Sequence, residues 1–282
     1  MSEKQWRVLL KTSRPAFWIV ILCTLLAGAY ACRSVLTPGF MIFSVFFAIA
    51  LSLFVFGTND IYDYPTDKRN SRKGGIEGAV LKPQAHALMR RAVFFAGILI
   101  LLLSIGDAFM IHNYYPLILI ILLLFFAYYY SAPPLRFKEV PIVDSLSNGV
   151  MVLLLFMVGL LQGTYSLPIL VKAVFLAGGV AAFHALGALA DYTPDIRAGQ
   201  KTIATVLGRR GTALFAFLVC CIIIFFSGIQ SPIIMTLMII SAGACGVLVA
   251  YPQDKLTLFI FRSLIVLLIC AAAAYVFIPL MT

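Results

Sequence analysis

The chain has 282 residues, of which 62% are hydrophobic and only 11% charged, with a mean hydropathy of +1.04. A soluble globular domain carries about 25% charged residues, so this composition excludes that class and indicates a polytopic membrane protein. The net charge of +10 does not imply nucleic acid, because the cations are sorted among loops and not gathered on one soluble segment; no nucleic-acid partner is expected.

Crossing the roughly 30 Å hydrocarbon core of a bilayer takes about 20 apolar residues in a helix. Nine segments meet that measure, near 16–34, 40–61, 92–111, 115–131, 143–164, 168–190, 212–229, 232–250 and 258–279. Their apolar runs are continuous and lack the roughly ten-residue alternation of a barrel, so only helices can satisfy their backbones. The predicted fold class is therefore all-α, with nine transmembrane helices in a single integral-membrane domain over residues 1–282.

Lys4, Arg7, Lys11 and Arg14 precede the first span. This basic start, the apolar run and Ala29-Tyr30-Ala31 imitate a cleavable signal, but the first span is needed for the charge alternation and is expected to be kept. Lys68, Arg69, Arg72, Lys73, Lys82, Arg90 and Arg91 follow span two, Arg136 and Lys138 follow span four, and Arg197, Lys201, Arg209 and Arg210 follow span six. Lys255 and Arg262 lie around the eighth connection, and Arg33 and Lys172 are left for the opposite side. The positive-inside rule then predicts a cytoplasmic N-terminus, cytoplasmic charged loops and an external C-terminus.

Span two ends in Asn59-Asp60-Ile61-Tyr62-Asp63-Tyr64-Pro65-Thr66-Asp67, and span six in Asp191-Tyr192-Thr193-Pro194-Asp195. These clusters hold five of only eleven acidic residues, at the ends of spans where a carboxylate is costly, so a compensating cation is expected. Asp60, Asp63 and Asp67 at i, i+3 and i+7 would share a helical face, as would Asp191 and Asp195 at i, i+4. Pro65 and Pro194 should kink or end their helices, making Asp67 and Asp195 loop-borne. Hard oxygen ligands in this arrangement suit Mg²⁺, whose shell is completed by water and substrate phosphate, with neighbouring Arg and Lys clamping the same phosphate. Each cluster precedes a basic, glycine-bearing loop, which suggests pseudo-repeat halves of about 1–140 and 141–282.

Other chemistry-bearing residues carry less. His86 and His112 read as loop residues, and His184 as either packing or pocket lining. Cys23, Cys32, Cys220, Cys221, Cys245 and Cys270 show no metal-ligand spacing and read as packing residues. Paired acids on repeated spans also occur in ion-coupled transporters, but those usually bind near the bilayer midplane, whereas both clusters here sit at cytoplasmic ends beside basic loops.

A third segment, Tyr128-Tyr129-Tyr130-Ser131-Ala132-Pro133-Pro134-Leu135-Arg136-Phe137-Lys138, closes span four. Taken with the Asn-Asp-x-x-Asp-x-x-x-Asp cluster, the second Asp-x-x-x-Asp and the nine spans, it makes the chain resemble the UbiA-type intramembrane prenyltransferases along essentially its whole length. The resemblance implies a helical bundle around a central cavity open to the bilayer, in which a prenyl group passes from an allylic diphosphate to a lipophilic acceptor. It implies Mg²⁺ as cofactor, two ions in number, with Asn59, Asp63, Asp67, Asp191 and Asp195 as ligands and Asp60 beside them in the catalytic cluster. It further implies diphosphate contacts from Asn59, Arg72, Arg136, Lys138 and Lys201. Many members have a further acid where this chain has Ala188, which leaves the second ligand set open. Phe125, Phe126, Tyr128, Tyr129, Tyr130, Tyr192 and His184 are candidates for lining the pocket and stabilising an allylic cation through ring faces. Tyr130 to Lys138, Asp144-Ser145-Leu146-Ser147-Asn148-Gly149 and His184 to Asp195 are most similar to the lycopene elongase branch, which implies dimethylallyl transfer to lycopene. Aromatic quinone precursors, chlorins and glyceryl-ether lipids remain alternative acceptors.

Overall fold

Prolines punctuate the helices. In a computed structural model, which describes residues 3–34, 36–64 and 81–281, Pro15, Pro38, Pro116, Pro168 and Pro232 each occupy the first or second position of a helix. The missing proline N–H costs nothing there, because the first amides of a helix have no internal partner. Thr37 and Ser231 add side-chain caps, accepting from the amides of Phe40 and Ile234.

The helices are α1 (Glu3–Thr12), α2 (Pro15–Ala31), α3 (Pro38–Tyr62), α4 (His86–Ile111), α5 (Tyr115–Tyr129), α6 (Val143–Leu160), α7 (Leu167–Ala190), α8 (Tyr192–Ala198), α9 (Ile203–Phe226), α10 (Pro232–Ala250) and α11 (Asp254–Met281). Two 3₁₀ turns, Pro83–Ala85 and Phe137–Glu139, complete the regular structure, and no strand occurs among the described residues. The fold is all-α, and each of the nine apolar segments falls on a helix. Among the described residues, six helices are long and apolar enough to cross a membrane, or seven if the pair Gln5–Thr12 and Pro15–Ala31, bent by 47°, is one span. Tyr115–Tyr129 has only 15 residues.

One boundary differs from expectation. Helix α9 begins at Ile203, before 212, but kinks at Gly208, whose φ is 71°, so that a short piece precedes the long apolar one, which carries Arg209 and Arg210 at its start. Only glycine adopts that conformation without strain, and charged side chains near a helix end can reach toward the interface.

The chain divides into two compact units, residues 1–136 with 154–164, and residues 137–153 with 165–282. In the first, α2 packs on α3, α3 on α4, and α4 on α5. Phe47, Leu25, Leu26, Met89 and Ile100 are fully buried in it. A Cβ on Gly28 would collide with Phe156 O, and one on Gly159 with Leu25 O, so glycine is what lets α2 approach the chain at 156–160 this closely. In the second, α7 and α10 pack on α9, and α11 on α7 and α10. Its core comprises Ala182, Leu186, Leu189, Ala213, Ala216, Cys245, Leu248 and Leu264. Phe94, Phe95, Phe109, Phe225 and Phe226 are turned outward, the large apolar surface expected of a protein solvated by lipid.

Candidate active site

The first acidic cluster sits on the last turn of α3, and that turn is held from three sides. Asn59 Oδ1 accepts from the Ser131 hydroxyl at 3.0 Å. Asp60, with no exposed surface, accepts from Arg14 Nη2 at 3.0 Å through Oδ1. Tyr62 and Tyr128 share a hydrogen bond of 3.0 Å between hydroxyls, their rings edge to face. Asp63 caps the helix, its amide donating to Asn59 O at 2.9 Å, and is 8% exposed. Of the residues predicted to share a face, Asp60 is turned toward Arg14. Asp67 and Arg72 lie outside the described residues.

Tyr130 caps α5, and Arg136 follows in a left-handed conformation with φ of 39°. Phe125 pairs with Phe126 and Tyr129, and Tyr128 with Tyr129, so four of the rings expected as lining form one aromatic patch at the end of α5, while Tyr192 and His184 lie in the second unit.

In the second unit Lys138 is buried, at 8% exposure, on the one-turn helix Phe137–Glu139. Burial pushes its ammonium down to about 8, with Glu139 and Asp195 opposing that shift. At neutral pH it still carries its proton and stands as a partly desolvated cation, the state in which attraction to an anion is strongest.

Asp191 ends α7, and its amide donates to Gly187 O and Ala188 O. Asp195 is not loop-borne: it lies in the first turn of α8, its amide donating to Asp191 O at 2.9 Å. Pro194 also falls in that first turn, where it is tolerated, so the break comes at Asp191. Tyr192 lies under the Arg209 guanidinium, 4.5 Å from ring centroid to Cζ. Arg209 also donates to Thr193 Oγ1 at 2.9 Å and pairs with Asp254, which accepts from the Thr193 hydroxyl. Lys201 is exposed. His184 is half-buried, with Nδ1 3.2 Å from Ser145 Oγ.

Two further acids, outside both clusters, are buried. Asp144, 1% exposed, accepts from Ile203 N–H at 2.7 Å and Ser145 N–H at 2.6 Å, fixing the start of α9 and with it the end of the segment that carries Asp191 and Asp195. Asp107, in α4, accepts from Gln162 at 2.8 Å. Both stand out in sequence as carboxylates within apolar segments, the available signal. Arg14 and Arg209 carried none, since their partners lie 46 and 45 residues away.

No three His, Cys, Asp or Glu side chains gather into a metal centre among the described residues. The donor set nevertheless fits a hard cation in part. Asn59 Oδ1 keeps a second lone pair after accepting from Ser131, Asp63 is nearly buried beside it, and Asp191 and Asp195 lie one helical turn apart.

Residues 20–252 match the model of the UbiA prenyltransferase family. A lycopene elongase/hydratase of Corynebacterium glutamicum is 33% identical over 220 residues, 75% of this chain and 72% of that protein. One of Halobacterium salinarum is 32% identical over 212 residues, covering 72% of each. Among solved structures, a UbiA homolog from Archaeoglobus fulgidus bound to DMAPP and Mg²⁺ aligns over 95% of this chain and 99% of its own, with a TM-score of 0.65 and 22% identity. One from Aeropyrum pernix aligns over 93% and 98%, with a TM-score of 0.70 and 18% identity. The extent of the family match, the similar relatives and the shared helical fold lead to one conclusion: the chain belongs to the UbiA prenyltransferase family and is an integral-membrane prenyltransferase.

Proposed function

We propose that the protein transfers a dimethylallyl group from dimethylallyl diphosphate to an end of lycopene, within the membrane and toward its cytoplasmic face. The identity of about a third to proteins named lycopene elongase/hydratase, over three quarters of the chain, carries this reading. The sorting of lysine and arginine among loops supports an internal N-terminus and an external C-terminus.

In this account Asn59, Asp63 and Asp67 would hold one Mg²⁺, and Asp191 and Asp195 a second. Bound Mg²⁺ neutralises diphosphate and makes it a better leaving group. The protein's own groups do the rest. Lys138 offers a desolvated ammonium to the diphosphate, Arg136, Arg72 and Lys201 add positive charge, and the Ser131 hydroxyl fixes the Asn59 amide. The C–O bond breaks with its electron pair leaving on diphosphate, and the allylic cation adds to a terminal double bond of the acceptor. Loss of a proton, or capture of water with loss of a proton, completes the product. No acceptor group has to be deprotonated first. Aromatic faces such as Tyr130 and Tyr192 stabilise the cation by about 0.5–2 kcal/mol each, and apolar walls exclude water until addition has occurred.

Expression in a bacterium that accumulates lycopene tests the reading. Pigments heavier by one or two five-carbon units, absent with Asp63→Ala, are the expected result. Unchanged lycopene, with the protein present in the membrane, would overturn this acceptor in favour of an aromatic, chlorin or ether-lipid one.

A further inference from the structure

We propose that Asp60 is a positioning residue and not a metal ligand: paired with Arg14, it clamps the turn that bears Asn59 and Asp63 onto the hinge between α1 and α2. The inference rests on the reading above, in which Asn59 and Asp63 serve the metal and diphosphate.

Three contacts converge on that hinge from one stripe of α3. Ser52 donates to Ser13 O at 2.5 Å, the Phe56 ring lies 4.2 Å from the Arg14 guanidinium carbon, and Asp60 accepts from Arg14 at 3.0 Å. Residues 52, 56 and 60 follow at i, i+4 and i+8, a ridge that drifts round the helix by about 40° at each step. Asn59 and Asp63 are turned from Asp60 by roughly 60–100° at about 100° per residue, back toward the side of Ser52. Trp18 Nε1 also donates to Ser13 O at 3.0 Å, and Phe17 meets Phe56 edge to face at 5.0 Å, so the hinge is itself held. Arg14 adopts a left-handed conformation, φ 47°, between the two helices. Both charges are desolvated, with side-chain exposures of 12% for Arg14 and 0% for Asp60. Removing one partner takes from a desolvated charge the ion pair that offsets its burial, while replacing both with apolar side chains is tolerated far better. Arg14 thus neutralises a carboxylate that would otherwise add a second negative charge beside that of Asp63, and fixes the angle at which that turn presents Asn59 and Asp63.

The test compares Arg14→Met, Asp60→Leu and the double variant, purified in lipid nanodiscs, with wild type and Asp63→Ala as references. Wild-type activity with an inactive Asp63→Ala establishes the functional reading first; failure there refutes that reading and leaves the clamp to be judged by metal binding. Each single variant should lose at least about tenfold in kcat/KM, chiefly through KM for the diphosphate, and the double should recover to within about threefold of wild type. Mn²⁺ binding, followed by electron paramagnetic resonance, should keep its wild-type stoichiometry in Asp60→Asn, which preserves an acceptor for Arg14. A folded double variant as inactive as Asp63→Ala, or loss of a bound Mn²⁺ in Asp60→Asn, would overturn the proposal. Should the double variant fail to fold, the Mn²⁺ stoichiometry of Asp60→Asn decides alone.

Discussion

The two acidic clusters are anchored by opposite means. Asp60, on the last turn of α3, is locked by a buried arginine that stacks on Phe56, while Asn59 and Tyr62 are tied to Ser131 and Tyr128. The short helix α8 is held by an arginine stacked on Tyr192, but this one pairs with a half-exposed Asp254, and the firm attachment comes from Asp144 bonding the backbone of Ile203. A buried pair resists salt but fails badly when one partner is removed; an exposed pair is screened and worth little. The first cluster therefore depends on side-chain charge, and the second on a backbone clamp.

The largest effects should erase the distinction, because the proposed function assigns both clusters to the chemistry. Asp63→Ala and Asp191→Ala should each lower kcat/KM on the order of a thousandfold while the protein remains folded, as assayed by diphosphate release. Near-full activity in either would remove that cluster from the site. Asp144 sharpens the comparison at the next level. Asp144→Ala leaves the Ile203 and Ser145 amides without their acceptor and should cost about 10- to 100-fold in activity, with Asp144→Asn retaining more. Equal loss in both variants would show that charge, not hydrogen bonding, is what Asp144 supplies.

Lys138 gives the comparison a pH axis. Its ammonium is pushed down to about 8 by burial, so donor binding should weaken as pH rises through 8, and Lys138→Met should flatten that dependence. The sign for stability is opposite: between about 8 and 10.5 the unfolded chain holds the proton that the folded one has released, so this residue makes the fold more stable as pH rises. Breaking the exposed latch with Asp254→Asn should cost under about 1 kcal/mol and less in high salt, measured by thermal unfolding. Smallest of all, Cys220→Ala or Cys221→Ala should leave turnover largely intact.

Much of this was legible in the sequence, for physical reasons that also mark where legibility ended. Apolar length locates nine of the helices because the bilayer imposes it, but it leaves no sign of the short α1 and α8 and places Arg209 and Arg210 in a loop when they lie inside α9. Helical spacing put Asp60 and Asp63 on one face; the partner that turns Asp60 aside, Arg14, is 46 residues distant and leaves no trace in local spacing. Pro194 was read as a helix end, yet a proline also fits a helix start, and the chain uses it there. His184 could have been packing or lining, and its contact with Ser145 shows only that it is held.

The most direct test uses purified protein in lipid nanodiscs, supplied with dimethylallyl diphosphate and Mg²⁺ and offered lycopene or an aromatic acid as acceptor. Diphosphate released in step with prenylated lycopene, with none released toward the aromatic acceptor, is the predicted result; turnover with the aromatic acceptor alone would contradict it.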